Sequence, residues 1–254
     1  MELEGRAAIV TGAGTGVGAA TALRLARLGC SVLANYSRSK DGAEAVAAEA
    51  KALGVRAFAH RADVADDPQC RDMVETAVRE FGRLDVLVNN AGTTKFVNHA
   101  DLDGLSGDDW DGILAVNVKG AFFCSRAARG ALEEGDGGEI VMTSSVAGLA
   151  GTGSSIAYCA SKAALNNLTV TLARALAPRI RVNAVAPGFI DGSWLAEGFG
   201  AAYEGIKNAV QERTPLKQVC QPDDVAHSIV GLIHGPDLVT GHVLPIEGGA
   251  LIAG

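Results

Sequence analysis

Positive charge is scarce in this sequence. It has 22 lysines and arginines against 29 aspartates and glutamates, which gives a formal net charge of −7. No basic cluster is denser than Arg179 and Arg181 around one isoleucine. Because proteins that bind nucleic acid usually present a clustered basic face, the charge pattern predicts no nucleic-acid partner.

The sequence also lacks the residue spacings of metal sites and disulfide frameworks. Its five cysteines are odd in number and never spaced C-x-x-C, and its five histidines form no H-E-x-x-H pattern. Structural zinc sites and small disulfide-bonded scaffolds depend on such spacings. We therefore predict no metal and reduced thiols, as in a cytoplasmic protein.

Long apolar runs and internal boundaries are missing as well. No run approaches the roughly 18 apolar residues that span a bilayer, and the first residues, "MELEG", carry no basic leader. We expect a soluble cytoplasmic protein with no membrane partner. No repeat, proline-rich linker or long charge block divides the chain, so we predict a single domain over residues 1–254.

Short apolar runs alternate with longer segments of helical spacing. Runs that are apolar throughout are typical of strands buried on both faces, and strand–helix alternation indicates a parallel sheet covered on two sides. The pattern predicts an α/β, doubly wound Rossmann fold with a seven-stranded parallel sheet. The predicted strands are 6–10, 31–35, 55–60, 84–88, 138–143, 180–185 and 242–246, and the predicted helices lie near 17–28, 41–53, 67–81, 108–128, 156–177 and 222–233.

Glycine is abundant, at 32 of the 254 residues. Four glycines (Gly12, Gly14, Gly16 and Gly18) stand in "IVTGAGTGVGAATALRLARLG", which begins as a strand and ends as a helix. Such a loop lets a pyrophosphate approach the N–H groups at a helix N-terminus. A glycine-rich turn without a ligand is the alternative, but its place after the first strand favours nucleotide binding.

Tyr158 and Lys162 stand four residues apart in "SSIAYCASKAAL". A helix brings these positions onto one face, although so short a motif also occurs by chance. A free tyrosine has a pKa of about 10, and a nearby ammonium stabilises the phenolate. We therefore expect Lys162 to lower the pKa of Tyr158 and to make it a usable acid and base.

Several motifs occur together in one order. They are T-G-x-x-x-G-x-G at 11–18, "NNAG" at 89–92, "VNVKG" at 116–120, "SS" at 144–145, "YCASK" at 158–162, "RVNAVAPG" at 181–188 and "VTGHVLPIEGG" at 239–249. Over essentially the whole chain, the sequence resembles the compact short-chain dehydrogenase/reductase family, including its 3-oxoacyl-[acyl-carrier-protein] reductases. The resemblance implies hydride transfer between a nicotinamide and a carbonyl or secondary alcohol.

The resemblance implies four catalytic residues. Tyr158 is the general acid and base, and Lys162 tunes it and binds the nicotinamide ribose. Ser145, which lies 13 residues before Tyr158, holds the substrate oxygen, whereas Ser144 is expected to be structural. Asn117 either anchors a water in a proton relay from Lys162 or satisfies a buried backbone group.

The resemblance also implies a set of cofactor-binding residues. Asp63 would bind the adenine amino edge with the backbone of Val64, although a helix N-cap is its alternative role. Gly192 stands where relatives often have a threonine that binds the carboxamide. The full set is Gly12, Thr15, Gly16, Val17, Gly18, Tyr36, Ser37, Arg38, Asp63, Val64, Asn89, Ala91, Gly92, Tyr158, Lys162, Pro187, Gly188 and Ile190.

The residues after the second predicted strand favour NADP(H) over NAD(H). An acid at this place binds the adenosine 2′-hydroxyl, whereas a cation suits a 2′-phosphate. Tyr36 stands where NAD-preferring relatives have the acid, and Arg38 and Lys40 follow it. An arginine can bind phosphate through two N–H groups. NAD(H) stays an alternative, since Thr15 stands where many NADP-dependent relatives carry a basic residue.

Residues 191–213 interrupt the strand–helix rhythm, and by resemblance they form a lid over the substrate. Trp194, Leu195, Phe199 and Tyr203 either line an apolar pocket there or pack as an ordinary helical excursion. A carrier-protein partner would need basic residues, and "RAARGALEEGDGGE" supplies Arg126 and Arg129 followed by four acids, which disfavours it. The resemblance further implies a homotetramer that takes a small-molecule carbonyl or alcohol substrate.

Three alternative functions remain open on the sequence. An NAD-dependent sugar or polyol dehydrogenase differs in its cofactor preference. A nucleotide-sensing protein without catalysis is expected to lose one of Ser145, Tyr158 or Lys162, and none is lost. A sugar-nucleotide epimerase shares the tyrosine and lysine but usually has a longer chain.

Overall fold

The computed structural model describes residues 1–235 and 237–253. Its seven strands form one parallel sheet in the order β3-β2-β1-β4-β5-β6-β7. They are β1 (Ala7–Val10), β2 (Ser31–Tyr36), β3 (Ala57–Arg61), β4 (Val86–Asn89), β5 (Gly138–Thr143), β6 (Ile180–Pro187) and β7 (Val243–Ile246). The predicted doubly wound parallel fold is confirmed, and every strand lies within two residues of its predicted bounds.

Helices cover both faces of this sheet. Five of the six predicted helices lie within one residue of their predicted bounds. The helices are α1 (Gly16–Arg27), α2 (Lys40–Ala52), α3 (Asp67–Phe81), α4 (Gly107–Leu114), α5 (Ala121–Glu133), α6 (Ala147–Ala150), α7 (Ile156–Leu176), α8 (Ser193–Phe199), α9 (Tyr203–Arg213) and α10 (Pro222–His234).

The apolar core is split into two layers by the sheet. Along β1, Ala8 and Val10 face one layer while Ala7 and Ile9 face the other. The first layer includes Leu25, Val46 and Ile229 from α1, α2 and α10, and the second includes Met73, Leu132 and Leu165 from α3, α5 and α7. Strands with apolar residues in both directions are therefore buried on both faces, as the continuous apolar runs predict.

The predicted helix over 108–128 begins at Gly107, continues to Glu133 and is not α-helical throughout. A capping box at Ser106 and Asp109 begins α4, which ends at Leu114, and a π-helical segment (Ala115–Gly120) separates it from α5, which continues to Glu133. Within this segment Gly120 packs so closely on Val64 that a Cβ would lie 2.8 Å from its Cγ2. Tertiary contacts thus override the local helical periodicity, and π-segments are frequent at functional sites.

The strand order reverses between β1 and β4, where a crevice opens beyond the carboxyl ends of the strands. Ligands of open α/β sheets bind at such a switch point. The glycine loop after β1, the turn after β4 and the loop after β6 all reach this edge. Residues 191–213, predicted as a lid, form α8, a short 3₁₀ turn and α9 beside it.

The described residues contain no helix that is both long and apolar enough to cross a membrane. Within the same part of the chain, no group of three or more potential metal ligands converges. All five cysteines are free and buried.

Candidate active site

The glycine loop is shaped by two left-handed residues and one close approach. Gly12 and Gly16 have φ angles of +63° and +52°, a region that other residues rarely adopt. At Gly18, a Cβ would lie 2.3 Å from the carbonyl oxygen of Gly12. These glycines bring the N-terminus of α1 against the loop. Thr15 caps α1 without a side-chain bond, so free N–H groups remain there for a phosphate.

Two asparagines that the sequence analysis missed hold this loop. Asn35, buried in β2, accepts a bond from the Gly12 N–H at 3.2 Å and donates to the Ala62 carbonyl at 3.0 Å. Asn90 donates to the carbonyls of Thr11 and Gly12 at 2.9 and 3.2 Å. A polar residue inside the otherwise apolar run "SVLANY" is the signal that could have identified Asn35.

The residues expected to contact adenosine lie at the ends of β2 and β3. Ser37 and Arg38 are exposed, Tyr36 is half-buried, and Arg38 forms no salt bridge within the described part of the chain. Lys40 is paired with Glu44 at 3.6 Å. The guanidinium of Arg38 is therefore the freer of the two cations expected here.

Asp63 is not a helix cap. The N-cap of α3 is Asp66, whose carboxylate accepts from the Gln69 N–H at 3.0 Å. One carboxylate oxygen of Asp63 accepts from the Ala65 N–H at 3.0 Å. The alternative reading of Asp63 as an N-cap is thus wrong, and its exposed carboxylate lies beside the buried Val64 at the crevice.

In the turn after β4, one predicted cofactor residue is bonded inside the fold and another faces the catalytic residues. Asn89 is buried and donates to the Ser125 hydroxyl at 3.0 Å and to the Met142 sulfur at 3.3 Å, so its side chain ties β4 to α5 and β5. Gly92 faces the catalytic side, where a Cβ would lie 3.7 Å from Lys162 Nζ. The structure therefore brings Gly92, but not the Asn89 side chain, towards the catalytic residues.

The loop after β6 presents free backbone groups. Ile190 forms an isolated parallel bridge with Cys220, in which Phe189 C=O and Asp191 N–H make the bonds at 2.9 and 2.8 Å. The N–H and C=O of Ile190 itself point the opposite way, as the parallel pattern requires. This orientation suits the predicted contact of Ile190 with a carboxamide. Gly188 is fixed by its N–H bond to Ile246 at 2.8 Å.

Helix α7 places Tyr158 and Lys162 on one buried face, with 8% and 3% of their surfaces exposed. The Ser155 hydroxyl caps this helix by accepting from the Tyr158 N–H at 3.3 Å. Lys162 Nζ lies 5.5 Å from the Tyr158 ring centroid and donates to the Thr143 carbonyl at 2.7 Å. The two predicted residues therefore lie side by side, with the Lys162 ammonium near the ring of Tyr158.

The protonation of this pair differs from the sequence expectation. Burial raises the pKa of Tyr158 to about 12, and its hydrogen bond with Ser145 opposes that shift only in part. Burial also lowers the pKa of Lys162 to about 8. The net shift of the tyrosine pKa in the free protein is therefore upward rather than the expected lowering, and desolvation is its largest cause. Tyr158 consequently keeps its proton near neutrality.

The two serines at the end of β5 have different surroundings. Ser144 is buried and donates to Asn166 Oδ1 at 2.5 Å, which makes it structural as expected. Ser145 Oγ accepts from the Ala147 N–H at 3.1 Å and lies 3.4 Å from the Pro187 carbonyl. Of the two, Ser145 is the one beside the phenol of Tyr158.

Asn117 lies in the π-helical segment with its side chain fully bonded. Its Oδ1 accepts from the Thr93 N–H at 2.8 Å, and its Nδ2 donates to the Thr93 carbonyl and the Ser161 hydroxyl, both at 3.0 Å. Ser161 Oγ in turn donates to the Tyr158 carbonyl at 2.7 Å. These contacts support the structural alternative for the side chain, which joins α7 to the segment after β4.

Residues 191–213, the predicted lid, are anchored at Asp191, a residue that the sequence analysis did not assign to the site. The Asp191 carboxylate accepts hydrogen bonds from the Tyr203 hydroxyl, from Lys207 Nζ at 2.6 Å and from Gln221 Nε2 at 3.2 Å. The Tyr203 hydroxyl also accepts from the Gly192 N–H at 3.1 Å. Lys207, Tyr203 and Gln221 together hold the pKa of Asp191 at about 2. Two side chains of α9 thus fasten this helix to the loop that carries Ile190.

Replacing Asp191 with asparagine is expected to loosen α9 and to raise the KM for the carbonyl substrate about 5-fold, because a charged acceptor with three donors is lost. Steady-state kinetics at saturating cofactor measure this change. Asp223→Asn is the matched control, since Asp223 forms an ion pair with Arg24 at 2.5 Å on the outer surface. An unchanged KM in Asp191→Asn, or an equal rise in both variants, contradicts the anchoring role.

Comparison with known proteins agrees with this geometry. The model of the short chain dehydrogenase family matches residues 6–202. The chain belongs to this family. It is 38% identical over 246 residues to 3-oxoacyl-[acyl-carrier-protein] reductase of Staphylococcus epidermidis. The aligned residues make up 96% of this chain and 98% of that protein. The family assignment makes the protein an NAD(P)-dependent oxidoreductase.

Solved structures of the family carry either cofactor. A short chain dehydrogenase from Burkholderia cenocepacia in complex with NADP is 41% identical, with a TM-score of 0.88 and coverage of 99% of this chain and 100% of that one. A xylitol dehydrogenase bound to NAD⁺ is 31% identical, with a TM-score of 0.89 and coverage of 98% and 100%. Overall similarity therefore does not separate the two dinucleotides.

Proposed function

We propose that this protein is an NADPH-dependent carbonyl reductase of the cytoplasm in which Tyr158 protonates the substrate oxygen. The observation that carries the proposal is a buried, protonated phenol beside a serine hydroxyl and a lysine ammonium at the sheet's switch point. Burial keeps the Tyr158 hydroxyl protonated, so that it carries the proton that the substrate oxygen needs.

The residues of the crevice fit a dinucleotide along its whole length. The pyrophosphate would lie at the N-terminus of α1 near Thr15, Gly16 and Val17, and the ribose next to the catalytic helix would contact Lys162. Ile190 would hold the carboxamide through its outward N–H and C=O. When bound, the nicotinamide supplies the hydride that reduces the carbonyl carbon.

Each catalytic residue has a defined task in the reduction. Ser145 donates a hydrogen bond to the carbonyl oxygen and orients it, and Tyr158 transfers its hydroxyl proton to that oxygen as negative charge develops there. The Lys162 ammonium, close to the ring, stabilises the phenolate that results. Asn117 keeps α7 in place through Ser161 and the Thr93 backbone.

The preference for NADPH is proposed on the exposed Arg38. No acid stands at Tyr36 to bind a 2′-hydroxyl, and Arg38 is free of an internal salt bridge within the described residues. Arg38→Ala is expected to raise the KM for NADPH about 10-fold and to leave the KM for NADH within about twofold. Arg71→Ala, which removes an exposed arginine paired with Asp67, is the control. A wild-type preference of tenfold for NADH overturns this part of the proposal.

Assembly as a homotetramer is a further part of the proposal. Large apolar side chains remain exposed on α5, α7, β7 and the C-terminal segment, as contact surfaces between subunits do. They are Phe122, Val170, Leu244, Leu251 and Ile252.

A second candidate function, an NAD-dependent polyol dehydrogenase, is favoured only by similarity to the xylitol dehydrogenase structure. The test is a panel of ketones, acyl thioesters and sugars followed by NADPH and NADH absorbance. Faster turnover of a polyol with NAD⁺ than of any ketone with NADPH would select this second function.

A further inference from the structure

Half of the aromatic side chains of this protein are collected at the substrate side of the site. The sequence has twelve aromatic residues, namely seven phenylalanines, three tyrosines and two tryptophans. Six of them form one connected cluster drawn from the segment after β4, from α7, from the loop after β6 and from the lid. They are Phe96, Tyr158, Phe189, Trp194, Phe199 and Tyr203.

The cluster begins at the catalytic ring and runs outwards. Tyr158 and Trp194 have ring centroids 6.1 Å apart at an angle of 60°, and Trp194 and Phe96 lie 6.3 Å apart at 71°. Phe96 and Phe199 continue the series at 5.1 Å and 75°. These are edge-to-face contacts, so each ring leaves a face or an edge available to a further ring.

Open aromatic surface lies directly at the reaction centre. Trp194 is 47% exposed although its ring contacts that of Tyr158. A cleft of about 510 Å³, which Trp194 and Tyr158 do not line, opens beside Phe96 and Phe199 and is also lined by Gly153 and Ser154. This volume lies in the range of small-molecule sites. A large exposed indole beside the catalytic ring is more simply explained by contact with a ligand than by core packing.

The lid helix α8 packs closely on the segment after β4. The Phe96 ring rests on the backbone of α8 at Gly198, where a Cβ would lie 2.1 Å from the ring. Any side chain at position 198 would overlap the Phe96 ring, so this ring packs directly on the backbone of α8. Together with the Asp191 anchor, this contact holds α8 against the segment after β4.

The charges around the cleft disfavour delivery by an acidic carrier protein. Residues 96–118 contain five aspartates and neither lysine nor arginine. Lys95, at the edge of this segment, is bound to Asp109 at 2.7 Å. Arg126 and Arg129 are each bound to an internal carboxylate at 2.7 Å. An acidic partner meets like charge here, which opposes its docking.

We propose that the substrate is a free, uncharged, fused-ring aromatic ketone that lies against Trp194, Phe96 and Phe199 with its carbonyl towards Ser145 and Tyr158. This substrate class rests on the carbonyl reductase activity proposed above. The ring system of the substrate supplies aromatic contacts that an aliphatic ring of the same size cannot make. Trp194 is the residue that determines this specificity.

A matched pair of ketones tests the proposal. The ketones 2-tetralone and trans-2-decalone carry the carbonyl at the same place of a two-ring skeleton, and only the first has an aromatic ring. With NADPH, we expect kcat/KM to be at least about 10-fold higher for 2-tetralone, since aromatic contacts contribute about 1 kcal/mol or more beyond area and several rings act together. Equal values, or faster reduction of acetoacetyl-N-acetylcysteamine than of 2-tetralone, overturn it.

A variant and a binding measurement assign the effect to the aromatic cluster. In Trp194→Leu the ratio of the two kcat/KM values is expected to fall below about 3, whereas Trp110→Phe, in α4 and outside the cluster, keeps the wild-type ratio.

Binding of 2-naphthol, measured in Trp110→Phe by quenching of the remaining tryptophan, needs no turnover. If 2-naphthol binds with micromolar affinity but no ketone is reduced with either cofactor, the cleft assignment stands and the reductase function falls. If 2-naphthol does not bind at 1 mM, the cleft assignment is wrong.

Discussion

Tyr158→Phe is expected to lower kcat for carbonyl reduction about 1000-fold and to leave the dissociation constant of NADPH within about threefold. Removal of a positioned general acid costs about 100- to 10,000-fold in rate. Phenylalanine preserves the ring, its burial and its contacts with Trp194 and Lys162, so only the transferable proton is lost. Single-turnover kinetics with NADPH absorbance measure the rate, and fluorescence titration measures the affinity.

Lys162→Ala distinguishes the two roles within the pair. It is expected to weaken both turnover and NADPH binding, because in the proposed binding mode the ammonium, which lies close to the Tyr158 ring, stabilises the phenolate and contacts the ribose. Thermal melting of both variants checks that α7 remains folded. If Tyr158→Phe keeps more than a tenth of the wild-type rate, Tyr158 is not the proton donor.

The sheet could be predicted from the sequence because its signal is local. A strand such as 138–143 is apolar in both directions, and only burial between two layers of helices explains such a run. The glycine pattern from Gly12 to Gly18 likewise reflects backbone geometry that few other residues adopt. Helical spacing placed Tyr158 and Lys162 on one face, and the resemblance to the family added Ser145 to them.

Features that depend on distant contacts could not be predicted in this way. The π-helical segment between α4 and α5 contains Asn117, which bonds to Thr93 and Ser161, and Gly120, which packs on Val64. The Asp191 anchor likewise joins residues 12 to 30 positions apart. No periodicity within either segment reveals these partners.

Ionisation could not be predicted for a related physical reason. Helical spacing brings the Lys162 ammonium near the Tyr158 ring, and that proximity alone would lower the pKa of the phenol. The opposing contribution is desolvation, which depends on the depth at which the whole fold buries α7. The net direction of the shift follows only from the folded surroundings.

The largest expected effect on cofactor binding comes from Gly18→Ala, which should raise the dissociation constant of NADPH at least about 100-fold. The added Cβ would lie 2.3 Å from the Gly12 carbonyl oxygen and 2.5 Å from Asn90 Nδ2. Because a backbone atom cannot yield as a flexible side chain does, α1 must move away from the loop. Its N-terminal N–H groups then leave the phosphate position, and both affinity and stability fall.

Two further glycine variants show whether the close approach is the cause. At Gly16 a Cβ meets nothing within 4 Å, so Gly16→Ala carries only the cost of its φ of +52°, about 1–2 kcal/mol, and should weaken NADPH binding less than Gly18→Ala does. Gly231→Ala, on the open face of α10, should leave binding unchanged. Fluorescence titration gives the affinities, and circular dichroism shows whether each variant is folded. A folded Gly18→Ala protein that binds NADPH as tightly as the wild type would show that the contact between α1 and the glycine loop does not position the phosphate site.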